Sequence, residues 1–172
     1  MLNVVKGAAA VLVLGLVGAC GTAEEAPKSE EKKSESAKPT TPKGKLKAAL
    51  AKTDDVEGAK VNTIDGGYIE VGFKVGDNLT DGTIRTGIAN DVYAMAEPIN
   101  KSGVKFKELA FRGTFPMSDK YGNTKPGQVF FTTFTKKTLN KIQYDDIVAT
   151  SFDNMENLVI DGIIVLHPDL RE

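Results

Sequence analysis

The run Tyr68-Ile69-Glu70-Val71-Gly72-Phe73-Lys74-Val75 decides the fold class. Ile69, Val71, Phe73 and Val75 alternate with Tyr68, Glu70, Gly72 and Lys74, and a period of two marks a strand with one buried face and one wetter face. Just before it, Lys60 to Asp65 is a second strand-like run, joined to the first by Gly66-Gly67. Asp65-Gly66-Gly67 tolerates positive φ, so the pair reads as a β-hairpin.

Working outward, Gly76 to Gly82 is a polar loop that superficially suits calcium. An EF-hand loop needs an oxygen ligand at its third position and glutamate at its twelfth, where Leu79 and Ile88 stand. A loop that ends in a helix cap is the better reading. From Thr83 to Asn100, Ile84, Ile88, Val92, Met95 and Ile99 return every three or four residues, the apolar stripe of a helix lying across a sheet. Thr80 or Asp81 can cap its start, and Pro98 with Ser102-Gly103 marks its end.

A second hairpin follows. In Phe106 to Met117, Leu109, Phe111, Phe115 and Met117 share a face, and Gly113 among them leaves room for a large neighbour or marks a bulge. Ser118 to Gly127 is turn chemistry. Gln128 to Thr135 carries aromatics on both faces, as in a central strand or one covered on its second side. Further on, Thr135 to Ile142 suits a short helix with Leu139 and Ile142 inward. Residues 154–166 have helical spacing, with Asp153 as a cap, but their β-branched runs suit a buried strand equally well; a helix is the reading taken. Ahead of the first hairpin, Leu46, Ala49 and Leu50 predict a short helix over Lys45 to Lys52. The expectation is a single α+β domain over residues 44–172. It has a four-stranded, mainly antiparallel sheet of two hairpins on one long helix, with short terminal helices.

The 43 residues before that domain differ in kind. Residues 1–19 are laid out like a secretory leader, with Lys6 and then an apolar run from Gly7 to Val17 that is too short to span a bilayer comfortably. The stretch Leu16-Val17-Gly18-Ala19-Cys20 closes it and contains the single cysteine. This closely resembles the lipobox of bacterial lipoproteins. The resemblance implies a diacylglyceryl group on the Cys20 sulfur, cleavage before Cys20 and an outward-facing membrane location. Two acyl chains at about 0.8 kcal/mol per buried methylene make a lasting anchor. The likeness covers the first 20 residues; the rest resembles small Gram-positive surface lipoproteins in layout alone.

From Gly21 to Lys43, glutamates alternate with lysines among prolines and serines, while Val, Ile, Leu and aromatics are missing. Residues 20–43 are therefore expected to be a disordered tether with the lipidated cysteine at its head, holding the body roughly 25 Å from the lipid.

Composition narrows the function. A formal net charge of −1 lacks the basic excess of a nucleic-acid binder. With His167 the single histidine, a histidine-rich metal site is excluded and any Ser-His-Asp triad would have to use it, but no nucleophile-elbow motif appears, and no cofactor is expected. Two compact polar and aromatic clusters remain, Asp119, Tyr121 and Asn123 in one and Tyr144 with Asp145 in the other. They are candidate binding residues or simple turn residues.

The expected role is a non-catalytic surface module for an extracellular protein, peptide or envelope component, with inhibitor, immunity or phage exclusion as variants. The competing reading is an envelope hydrolase using two of Glu70, Asp91, Glu108, Asp145 and Asp146, about 5 to 10 Å apart with one pKa raised. A third is an assembly lipoprotein with a large exposed apolar patch.

Overall fold

The computed structural model describes residues 39–76, 81–160 and 164–168. The leader, Cys20, the tether through residue 38 and the possible cap Thr80 lie outside the described residues. The order of elements is α1 (Pro42–Leu50), β1 (Lys60–Asp65), β2 (Tyr68–Lys74), α2 (Asp81–Asn100), β3 (Glu108–Ser118), β4 (Thr124–Thr135), α3 (Lys136–Leu139), α4 (Phe152–Leu158) and β5 (Ile164–Leu166). The five strands form one sheet in sequence order.

The α+β class and both hairpins are as the alternation predicts, but the turn expected over Ser118 to Gly127 narrows to residues 119–123, with Thr124 to Gly127 paired in β4. Gly66 and Gly67 have φ of 53° and 94°, and this left-handed pair closes a two-residue turn whose twist matches the strands. The expected four-stranded, mainly antiparallel sheet gives way to a mixed five-stranded one. β2 and β3 pair parallel, in the register Tyr68↔Glu108 to Lys74↔Thr114. The cause is α2: twenty residues rising about 1.5 Å each carry the chain back along the full length of β2, so β3 starts at the same end. Lys107 N donates to Gly67 O at 2.7 Å and ties that start to the hairpin turn.

The helix over Lys45 to Lys52 begins earlier, at Pro42, inside the stretch read as tether. Thr41 accepts a hydrogen bond from Gly44 N at 3.1 Å and Pro42 occupies the first turn, where its missing N–H costs nothing. In α2, Ile88, Val92, Met95 and Ile99 are fully buried and Ile84 packs at the margin. Pro98 sits inside the last turn rather than ending the helix.

Gly113 plays both parts foreseen for it. A β-carbon there would meet Val75 Cγ2 at 2.8 Å, Phe130 Cβ at 3.0 Å and Phe73 Cζ at 3.2 Å. The β3–β4 register also shifts beside it, with Val129 the extra residue. That bulge takes Val129 off the face that strict alternation would give it with Phe131 and Thr133, and Val129 is buried.

The C-terminal segment divides. α4 covers Phe152 to Leu158 and is capped by Ser151, which accepts from Asn154 N at 3.2 Å, while Asp153 lies in the first turn. Val159 then turns extended, and Ile164 to Leu166 pairs antiparallel with β4. The helical reading fails beyond residue 158.

One core joins these elements. It draws on residues from Leu46 to Leu166, among them Phe111, Phe130 and Phe134 from the sheet, Met155 from α4 and the α2 stripe. Among the described residues, none before Leu46 enters that core. The opposite face of the sheet carries Tyr68, Glu70, Ala110, Arg112, Phe131, Thr133 and Val165, since these alternate with the core residues and share rungs.

Candidate functional site

The β3–β4 hairpin outruns the sheet. β2 stops pairing at Thr114, yet four more rungs follow, from Phe115↔Gly127 to Ser118↔Thr124. At the tip, Asp119 Oδ1 accepts from the backbone N–H of Tyr121 at 2.8 Å and of Asn123 at 2.9 Å, and its Oδ2 accepts from Asn123 Nδ2 at 3.0 Å. These donors, the Asn123 amide first, hold the Asp119 carboxyl below its ordinary pKa. Asp119 and Asn123 thus build the turn, and Gly122, at φ 82°, completes it. The third member of the cluster is displayed: Tyr121 is 77% exposed, with Lys120 Nζ 4.9 Å from its ring centre.

The second predicted cluster divides in the same way. Tyr144 is half-buried, donates its hydroxyl to Leu139 O at 3.1 Å and sets its ring 6.5 Å from that of Tyr93. Burial is the main reason its pKa is raised, with the Glu97 carboxylate adding to it. Tyr144 is a support, and Asp145 beside it is exposed.

Ile147 and Val148, which sequence reasoning missed, stand on a turn braced by Asp146. Asp146 Oδ1 accepts from Val148 N at 2.8 Å and Ala149 N at 3.2 Å. Thr150 N and Oγ1 both donate to Asp146 O, and Asn154 Nδ2 donates to Ala149 O at 3.1 Å. This bracing leaves Ile147 85% and Val148 71% exposed. A legible signal was there: two adjacent β-branched residues inside turn chemistry fit neither a helical nor a strand period. An open cleft of about 610 Å³ lies alongside, lined by Glu97, Asn100, Lys101, Tyr144, Asp145 and Asp146.

The two clusters are not brought together. Asp119 to Asn123 precede the first residue of β4, and Tyr144 follows α3 at its far end. At about 3.3 Å per residue, twelve residues of strand separate the two ends by roughly 40 Å.

Of the carboxylates weighed for hydrolysis, Glu70 and Asp91 stand on opposite faces of the sheet. Glu70 lies on the open face of the sheet, where Arg112 grips it, chiefly lowering its pKa by hydrogen bonding. Asp91 belongs to α2 on the opposite face. Burial alone raises it from 3.8 to about 6, with no neighbouring carboxylate contributing. The pairing of a raised acid with an ionised partner is not found among these residues.

No group of three or more His, Cys, Asp or Glu side chains among the described residues is placed to hold a metal ion. Nor is any described helix long and apolar enough to cross a membrane. No protein-family model, curated protein or solved structure matches this chain.

Proposed function

We propose that the chain is an outward-facing bacterial lipoprotein, anchored through a lipid on Cys20, whose folded domain is a non-catalytic binding module for an extracellular protein. One observation supports the binding role above the others. Tyr121, Ile147 and Val148, among the most exposed large apolar side chains described, stand on loops fixed by Asp119 and Asp146. Held in this way, such side chains lose little entropy on docking, and tyrosine is a frequent anchor of interfaces. Burying Ile147 and Val148 in a partner would contribute about 1.5–3 kcal/mol each.

The test is capture from intact envelopes on immobilised residues 39–172, run beside Tyr121→Ala and Ile147→Ser/Val148→Ser. The expected result is one stoichiometric partner, lost with either variant while the melting temperature is unchanged. Equal recovery by all three proteins would refute this use of the loops. The anchor has its own test: Cys20→Ser should shift the protein from the membrane to the soluble fraction. Inhibition or immunity against a secreted toxin, hydrolase or phage is the same binding role with a different partner.

A further inference from the structure

β1 is an edge strand. It pairs with β2 alone, and among the described residues its backbone makes no hydrogen bond elsewhere. Edges of this kind are normally short, bulged or charged, because a free row of N–H and C=O groups recruits other strands. β1 has a bulge and a lysine, but it also leaves apolar surface open on its core side. Ile64, opposite Ile69 and so on the face that α1 and α2 cover, is 41% exposed. Val61 is half-buried on that same face and forms one wall of a cavity of about 360 Å³ between α1 and β1. Leu50, Ala51 and Ala59 complete its apolar lining, and Lys43 and Lys47 of α1 stand around it. The cavity is placed where the inward side chains of a sixth strand would go.

We propose that the missing strand is β1 of a second copy of this chain, paired antiparallel about the midpoint between Asn62 and Thr63. The bulge makes this register self-consistent. Val61 and Ile64 both face the core, three residues apart instead of the usual two, because the pairing with β2 shifts between Val61 and Thr63. Lys60, Asn62, Thr63 and Asp65 face the other way. Antiparallel self-pairing about that midpoint sets Val61 against Ile64, Asn62 against Thr63 and Lys60 against Asp65 of the second copy. Every rung then matches face to face, and the end rungs match in charge. A slip of one or two residues in either direction places a core-facing side chain opposite an outward-facing one.

Directly opposed β-carbons lie about 4.5–5.5 Å apart, close enough for Lys60 to reach Asp65 and for Ile64 to enter the neighbour's cavity. Each interaction occurs twice across the two-fold axis, and the two sheets become one of ten strands. A contact of one strand and a groove falls at the small end of specific interfaces, so the dimer is a weak, concentration-dependent one.

Sedimentation velocity on residues 39–172 tests this, since every described core residue, from Leu46 to Leu166, lies within that fragment. The expected result is a monomer–dimer equilibrium that Ile64→Lys and Lys60→Asp each weaken by at least about tenfold. The reversed pair Lys60→Asp/Asp65→Lys should restore affinity to within about threefold of the original. All these positions are exposed or nearly so, and unchanged melting temperatures would show that the fold is intact. A protein that stays monomeric up to about 1 mM overturns the proposal. That would leave the lysine-rimmed cavity to an acidic strand of another protein. A dimer indifferent to Ile64→Lys and Lys60→Asp overturns it equally.

Discussion

Arg112 holds Glu70 across the parallel β2–β3 pair with two hydrogen bonds, Nε to Oε1 and Nη2 to Oε2, each 2.9 Å long. Asn62 Nδ2 and the Tyr68 hydroxyl donate to the same carboxylate at 3.1 and 3.3 Å. The guanidinium reaches Gln128 on β4 and lies 5.0 Å from the centre of the Phe131 ring. The cluster therefore ties β1, β2, β3 and β4 together on the face of the sheet opposite the core. A planar fork with both oxygens occupied is stronger than an ordinary surface pair.

Glu70→Gln removes the charge and one acceptor and should lower stability by about 1–2 kcal/mol at pH 7. The pH dependence has a definite sign. The folded-state pKa of Glu70 is depressed below 4.5, so the unfolded chain takes up its proton first as pH falls. The contribution is complete above about pH 4.5 and fades below it. Urea midpoints of the two proteins should converge on acidification; a gap that does not narrow as pH falls below 4.5 would contradict this account.

Gly113→Ala should destabilise by about 1–3 kcal/mol, because two of the three atoms its methyl group would strike, Val75 Cγ2 and Phe130 Cβ, are set close to the backbone in a packed core. Gly127→Ala is the informative contrast. There the new methyl group meets the Met117 side chain, with Sδ at 2.5 Å, on a hairpin arm where a flexible thioether can swing aside. Thermal melts of the two variants should differ by several degrees, with Gly113→Ala the lower.

Much of this architecture could be read from local pattern. The alternation of Ile69, Val71 and Phe73, the Gly66-Gly67 turn and the Ile88 to Ile99 stripe are periodic signals that each element announces for itself. Strand order is different in kind. Whether β2 meets β3 parallel depends on the length and return direction of α2, not on any residue within either strand. β5 was ambiguous because three residues are too few to show a period, and Leu166 also completed the helical spacing of the residues before it. The candidate site was half legible. Asp119 and Asp146 look like turn residues and are, whereas the exposure of Ile147 and Val148 depends on hydrogen bonds from residues several positions away.

Tyr93 and Tyr144 pack ring to ring yet should respond oppositely to loss of their hydroxyls. Tyr93 Oη is buried and has no hydrogen-bond partner among the described residues, and burial raises its pKa to about 12. Tyr93→Phe removes a desolvated group that gains nothing, so stability should hold or rise by up to about 1 kcal/mol. Tyr144→Phe deletes the bond to Leu139 O and should lose about 1 kcal/mol. Chemical denaturation measures both, and a destabilised Tyr93→Phe would mean that its hydroxyl is satisfied.

Asp91 makes the opposite pH prediction to Glu70. Its carboxyl is raised from 3.8 to about 6 by burial, without a compensating charge. A raised acid holds its proton more tightly in the folded state, so its favourable contribution is complete below about pH 3.8 and is lost as pH climbs through 6. At pH 7 the folded protein therefore carries a half-buried, unfavourable carboxylate. Asp91→Asn keeps the shape without the charge and should stabilise by about 1–2 kcal/mol at neutral pH, somewhat less than a two-unit shift allows. That gain should shrink as pH falls through 6 and vanish near 3.8, where the wild-type side chain is itself neutral. Melting temperatures of the two proteins between pH 4 and 8 give the comparison directly. Parallel curves across that range would show that Asp91 titrates as an ordinary exposed aspartate.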